Sequence, residues 1–172
     1  YKQAILGVSK EHIDHVAQKV INQKGDRIYT FTRERMKWHK EQGHIVIAIS
    51  GSPIELVSKM AMKYKMDDFR GTIYETDDSG RYNGNVIPMW DAVSKQKALR
   101  ELVEKYDIDL SQSYAYGDTT GDLTMFHHVG TPYAINPTKE LMMKLMEDPE
   151  LKEKINVIVE RKDVKYKLDL DH

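Results

Sequence analysis

The sequence predicts an α/β protein, an open and mostly parallel sheet covered by helices, and three observations lead there. Residues 44–50, HIVIAIS, form a short, nearly continuous apolar run of the kind that makes a strand buried on both faces. A glycine and a helix-start signal follow at once, compressing strand, tight turn and helix into about twenty residues. The same succession returns between residues 114 and 146, where two short apolar segments each run into a polar turn and then a helical period.

Taken in order, the first 42 residues read as helical, because Ile13, Val16, Val20 and Ile21 recur at helical steps and Phe31, Arg35 and Trp38 mark a second run beyond Gly25. After the strand at 44–50, Ser52, Pro53 and Glu55 supply a cap hydroxyl, a first-turn proline and a glutamate set for the reciprocal capping bond. Leu56, Val57, Met60, Ala61 and Tyr64 then line the buried side of a helix. Residues 69–88 read as a hairpin or flap, with two extended segments around the turn-forming group Asp77-Asp78-Ser79-Gly80. A helix follows from Ala92 to Tyr106, with Val93, Leu99, Leu102, Val103 and Tyr106 along its stripe. Tyr114 to Tyr116 and Pro132 to Ile135 are short strands, the second leading through Asn136-Pro137 into a helix over 140–146 capped by Thr138. Residues 155–159 add a last strand, and the charged tail from Glu160 reads as a frayed end.

Composition narrows the chemistry. At 172 residues and 20.0 kDa the chain has the size of one domain. With 26 basic and 27 acidic side chains, nothing recommends a nucleic-acid surface or a polybasic membrane patch. The absence of cysteine removes disulfides, thiolate metal sites and thiol catalysis, and fits the reducing cytosol. Any metal must therefore be held by oxygen or imidazole. No run approaches the roughly 20 apolar residues of a membrane span, and the first residues, which do not include an initiating methionine, lack the pattern of a signal peptide.

In such a sheet, polar residues at the carboxyl ends of buried strands gather where ligands bind. Ser50-Gly51 offers a hydroxyl and backbone N–H groups to a phosphoryl oxygen at the mouth of a helix, although an ordinary turn and cap have the same look. Residues 117–122, GDTTGD, place Asp118 and Asp122 four apart in a glycine-containing loop. Hard-cation binding is one reading, with one carboxylate ligating and the other orienting water; a solvated turn capped by Asp122 is the other. Lys95, early in its helix, is a cationic partner able to neutralise charge on a phosphoryl group, with Lys97 its nearest rival. The histidines His12, His15, His39, His44, His127 and His128 show no zinc spacing. Tyr82, Met89 and Trp90 border the flap as pocket or packing residues, and Met142, Met143 and Met146 read as a core or partner contact.

The order of these signals resembles the haloacid dehalogenase superfamily, in its phosphoserine-phosphatase-like branch. IVIAISGSP carries Ser50 as the second motif, SKQKAL carries Lys95 as the third, and YAYGDTTGDLTMF carries Asp118 and Asp122 as the fourth. GTPYAINP and HKEQGHIVIAIS are similar to that branch as well, so the likeness spans roughly residues 1 to 146. The resemblance implies a Rossmann-like core of mostly parallel strands, with residues 1–30 as the end of a helical cap, 31–159 as a core lacking its first strand, and 160–172 as a charged tail. It implies magnesium-dependent hydrolysis of a small phosphomonoester through an aspartyl-phosphate. Ser50, Lys95 and Asp118 would be catalytic, Ser50, Gly51 and Lys95 would hold phosphate, and Asp118 and Asp122 would hold Mg2+.

The family's Asp-x-Asp nucleophile motif does not occur before Ser50. The Asp-x-Asp at Asp169-Leu170-Asp171 is far out of context. The expectation is therefore a nucleophile supplied by an N-terminal segment of the same protein, with the chain inactive alone. The alternative is an inactive phosphate- or metal-binding module of the same fold. The expected partner is a small phosphorylated metabolite, with no nucleic acid or membrane, in the cytoplasm. Ser52 and Gly121 depart from the Ser-Gly-Gly and Asn-Asp of phosphoserine phosphatases, which puts phosphoserine itself in question.

Overall fold

A computed structural model describes residues 1–161 and 164–170, arranged as two compact units, residues 1–91 and 92–172. In the first, α1 (Lys2–Ile5), α2 (Lys10–Lys24) and α3 (Thr30–Glu41) precede β1 (Ile47–Pro53), α4 (Ile54–Lys63), β2 (Asp68–Thr76) and β3 (Tyr82–Ile87). Ser9 starts α2 by accepting the amide of His12, and Gly25 caps its end. The buried face of α2 is Ala17 and Ile21, while Val16 and Val20 are 40% and 39% exposed. Valine at these positions therefore misleads a reading based on hydrophobicity alone. The smaller alanine lies inward, and Lys59 of α4 reaches Asp14 of α2 at 2.6 Å.

The expected strand at 44–50 is displaced. Extended pairing begins at Ile47, parallel to Asp68 on β2, and continues through a register shift to Pro53 opposite Thr72. Because Ser52 and Pro53 remain in the strand, the expected capping box does not form. Pro53 is the residue before the helix, no side chain caps it, and Glu55 turns inward. The β2–β3 hairpin is antiparallel, as its pattern predicts. In its turn Asp77 accepts hydrogen bonds from Ser79 N, Ser79 Oγ and Arg81 N, which hold its carboxyl below the usual range, and Gly80 takes φ 73°.

The second unit carries α5 (Ala92–Tyr106), β4 (Tyr114–Gly117), α6 (Leu123–His128), β5 (Thr131–Ile135), α7 (Lys139–Glu147), α8 (Pro149–Lys154), β6 (Asn156–Arg161) and β7 (Val164–Leu168). Strands β4, β5 and β6 are parallel neighbours in that order, and β7 closes the sheet antiparallel to β6. The tail is thus paired, not frayed, from Val157↔Leu168 to Arg161↔Val164. All five residues of β7 are exposed, and Lys165 and Lys167 on this edge discourage pairing with another chain. Lys162, Asp163, Asp171 and His172 of the predicted tail, and with Asp171 the last residue of the Asp169-Leu170-Asp171 triplet, lie outside the described residues.

Thr138 caps α7 through Leu141 N as predicted, and Asp148 caps α8, a helix the sequence reading missed. The core of this unit is Ala115, Phe126, Val129, Ala134, Leu141, Leu145, Leu151 and Val157. Val93, placed on the buried stripe of α5 by its periodicity, is 78% exposed; Leu102 of that stripe is buried as predicted, together with Ala98.

Candidate active site

In the second unit the structure brings Lys95, Asp118 and Asp122 together. Strand β4 ends at Gly117, and the loop turns through a single 3-10 turn (Thr120–Asp122) into α6. Lys95, in the first turn of α5, places Nζ 2.7 Å from Asp122 Oδ1, with only 13% and 8% of the two side chains exposed. The other oxygen of Asp122 accepts the amides of Asp118 (3.1 Å) and Thr119 (3.2 Å) and the Thr119 hydroxyl (3.3 Å). Asp122 thus ties the loop to α5 with both oxygens engaged. Gly117 permits it: a Cβ there would lie 2.5 Å from Asp122 Cγ. The carbonyl of Asp118 accepts Thr138 N at 2.9 Å, anchoring the loop to the turn before α7.

Asp118 itself stays exposed, yet the surrounding protein raises its carboxyl pKa above the ordinary value. Partial desolvation contributes most, the charge of Asp122 adds to it, and Lys95 opposes it. A carboxylate held beside a like charge is a place where a cation is welcome. Among the described residues, no three His, Asp or Glu side chains form a cation cage. Asp118 is the oxygen that fits a hard cation such as magnesium, which keeps water ligands. Asp122, with both oxygens committed, fits the supporting role. Behind the loop, Tyr116 and Tyr133 stack on neighbouring strands, centroids 5.0 Å apart.

Ser50 and Gly51 belong to the first unit, inside β1 where its register with β2 shifts. Ser50 Oγ accepts Ser52 N at 3.2 Å, a local bond that leaves the hydroxyl hydrogen for an outside acceptor. The Gly51 carbonyl accepts the Thr72 hydroxyl at 2.8 Å, and the same Oγ1 accepts Met89 N at 3.2 Å. Thr72, wholly buried, was missed by the sequence reading; its one signal is a hydroxyl on an otherwise enclosed stretch of strand, Gly71-Thr72. The other missed residue is Glu55. Its Oε1 accepts the Tyr82 hydroxyl at 2.8 Å, its Oε2 has no partner among the described residues, and it is 5% exposed. Burial first, then the Glu55 hydrogen bond and charge, raise the Tyr82 pKa. Of the histidines, His39 is buried with Nδ1 2.9 Å from His44 Nδ1, and His127 lies between Asp148 (3.0 Å) and Glu150 (3.4 Å).

An α/β unit with a lysine–aspartate pair buried under an exposed carboxylate at a strand end has the charges needed to meet a polar ligand there. The comparisons make the class specific. The model of the haloacid dehalogenase-like hydrolases matches residues 1–127, and the chain belongs to that family. Within it, the chain falls in the phosphoserine-phosphatase-like branch. The chain is 32% identical over 119 residues to a phosphoserine phosphatase of Mycobacterium tuberculosis, covering 67% of this chain and 38% of that protein. It resembles a solved phosphoserine phosphatase bearing an analogue of the phospho-aspartyl intermediate, with 26% identity and a TM-score of 0.57 over 76% of this chain and 58% of that one. A protein of unknown function from Bordetella pertussis shares the fold at a TM-score of 0.72 and 16% identity, covering 85% of this chain and 67% of that one. The chain spans 38 to 46% of the length of the first curated relatives it matches.

Proposed function

We propose that the protein carrying this chain hydrolyses a small phosphomonoester with magnesium, through an aspartyl-phosphate whose aspartate comes from an upstream segment. The observation that carries this reading is the buried Lys95–Asp122 pair bracing a loop on which Asp118 remains exposed. Phosphatase relatives, one solved as a phospho-aspartyl analogue, support it. We also read residues 1–30 as the end of a helical cap and 31–159 as the core. No described helix is long and apolar enough to cross a membrane; with no cysteine in the chain, we place the protein in the cytoplasm.

In this mechanism the upstream aspartate attacks phosphorus in line, the P–O bond to the alcohol breaks, and the alcohol leaves with a proton from a neighbouring acid. Water then attacks the acyl-phosphate and releases inorganic phosphate. Ser50 donates its hydroxyl hydrogen and Gly51 its backbone N–H to phosphoryl oxygens; Lys95 adds a positive charge, and Asp122 fixes its ammonium. Magnesium, held directly by Asp118, would supply further charge neutralisation at the phosphoryl group. Asp122 enters as a positioning residue for this site rather than as a direct ligand.

The test uses the full-length protein on a panel of phosphomonoesters, phosphoserine among them, with and without magnesium. Metal-dependent phosphate release that Asp118→Asn abolishes is expected. No release from any ester by the unaltered protein would sink the hydrolase reading in favour of a catalytically silent binding module.

A further inference from the structure

Trp90 is in an unusual position. The residue is 53% exposed, yet its Cα and Cβ are pressed against the Ser50-Gly51 stretch of β1: a Cβ on Gly51 would fall 2.9 Å from Trp90 Cβ and 3.2 Å from Trp90 Cα. Glycine at 51 is required by this approach, because any side chain would push residue 90 away. The buried hydroxyl of Thr72 closes the bracket, donating to the Gly51 carbonyl and accepting the amide of Met89, the residue before Trp90. One side chain thus fixes both the Gly51 stretch of β1 and the segment bearing the indole. A locked backbone ending in a half-open aromatic ring is what a preformed recognition surface needs, since little ordering remains to be lost on binding.

We infer that Trp90 is a specificity-determining residue that packs against the alcohol part of the substrate, selecting phosphomonoesters whose alcohol carries a flat apolar or aromatic group. The inference rests on the reading of Ser50 and Gly51 as the phosphate-holding segment and names the substrate class of that site. A small hydrophilic alcohol gains nothing from an indole face, whereas an aromatic ring gains both burial and stacking.

The test measures binding of phenylphosphonate and methylphosphonate, which are not hydrolysed, to the full-length protein by calorimetry. The unaltered protein is expected to prefer the phenyl compound by about three- to tenfold, the range one aromatic contact supplies. Trp90→Ala should erase the preference by weakening the phenyl compound alone, and Trp90→Phe should keep most of it. Equal or absent binding, a preference that survives Trp90→Ala, or tighter binding of aminoethylphosphonate than of the phenyl compound would each overturn the proposal. Phosphate release from phenyl phosphate is followed in parallel: no release together with a Trp90-dependent preference defeats the hydrolase reading alone. Release without the preference defeats the Trp90 proposal alone.

Discussion

In residues 92–172 the enclosed side chains are mostly apolar, among them Leu102, Phe126, Leu141, Leu145, Leu151 and Val157, and the buried acid Asp122 has its charge met by Lys95; in residues 1–91 His39, Glu55 and Thr72 are enclosed alongside apolar residues such as Ile21, Val57 and Ala61. The first kind of interior is held by burial of apolar area, which has no direction and does not respond to pH. The second is held partly by groups that each need a particular partner in a particular protonation state. The unit with Ser50 and Gly51 therefore depends on directional contacts, and the unit with Lys95 and Asp118 concentrates its electrostatic risk in one ion pair.

The sharpest way to break this contrast is Lys95→Met. It leaves Asp122 buried without its cation and should destabilise the protein by about 3–5 kcal/mol in urea unfolding, against a much smaller effect for the exposed neighbour Lys97→Met. A small loss at Lys95 would mean that the loop amides alone carry the charge of Asp122.

Acid should probe the other unit. His39 is held at a pKa of about 4, against an ordinary 6.5, by burial, by Arg35 and by His44. The unfolded chain therefore takes up a proton that the folded chain refuses. The contribution is whole above pH 6.5 and is lost as pH falls toward 4. It amounts to roughly 2–3 kcal/mol. Urea midpoints across that range should slope in the parent and flatten in His39→Gln; parallel slopes would remove His39 as the cause.

Next in size, Tyr82→Phe strips Glu55 of the hydroxyl on Oε1 and should cost about 1–3 kcal/mol. Adding Glu55→Leu should recover part of the loss, because a leucine has no unpaired oxygen. If the double variant is as unstable as the sum of the single ones, the pair is not coupled. The smallest effect belongs to Asp118→Asn, which relieves repulsion from Asp122 and should leave stability within about 0.5 kcal/mol of the parent or slightly above it. A substantial loss would show that Asp118 supports the fold.

Much of the element order was legible. The periodicity of residues 92–106 matches α5, and the apolar runs near 114 and 132 match β4 and β5. Local chemistry settles such elements, because turn residues and spacing act over a few positions. Three features were not legible. Strand β1 runs on through Ser52 and Pro53 because β2 offers it a partner, overriding a good capping signal. Strand β7 forms because its backbone pairs with β6, which a charged sequence does not advertise. Within the candidate site, spacing put Asp118 and Asp122 in one loop, but two carboxylates of identical chemistry cannot be assigned different roles until the one whose oxygens are occupied is known.

By itself, then, the sequence determined the α/β class, the order of strands and helices, and the residue types that carry charge at the strand ends, since these depend on neighbours along the chain. Only the tertiary structure decided that Asp122 is spent on Lys95 and the loop amides while Asp118 stays exposed, and that Thr72 clamps the Gly51 stretch of β1 beside an exposed Trp90. The physical reason is shared: Lys95 for Asp122, and Gly51 and Met89 for Thr72, are hydrogen-bond partners 17 to 27 residues away, a separation at which spacing carries no signal.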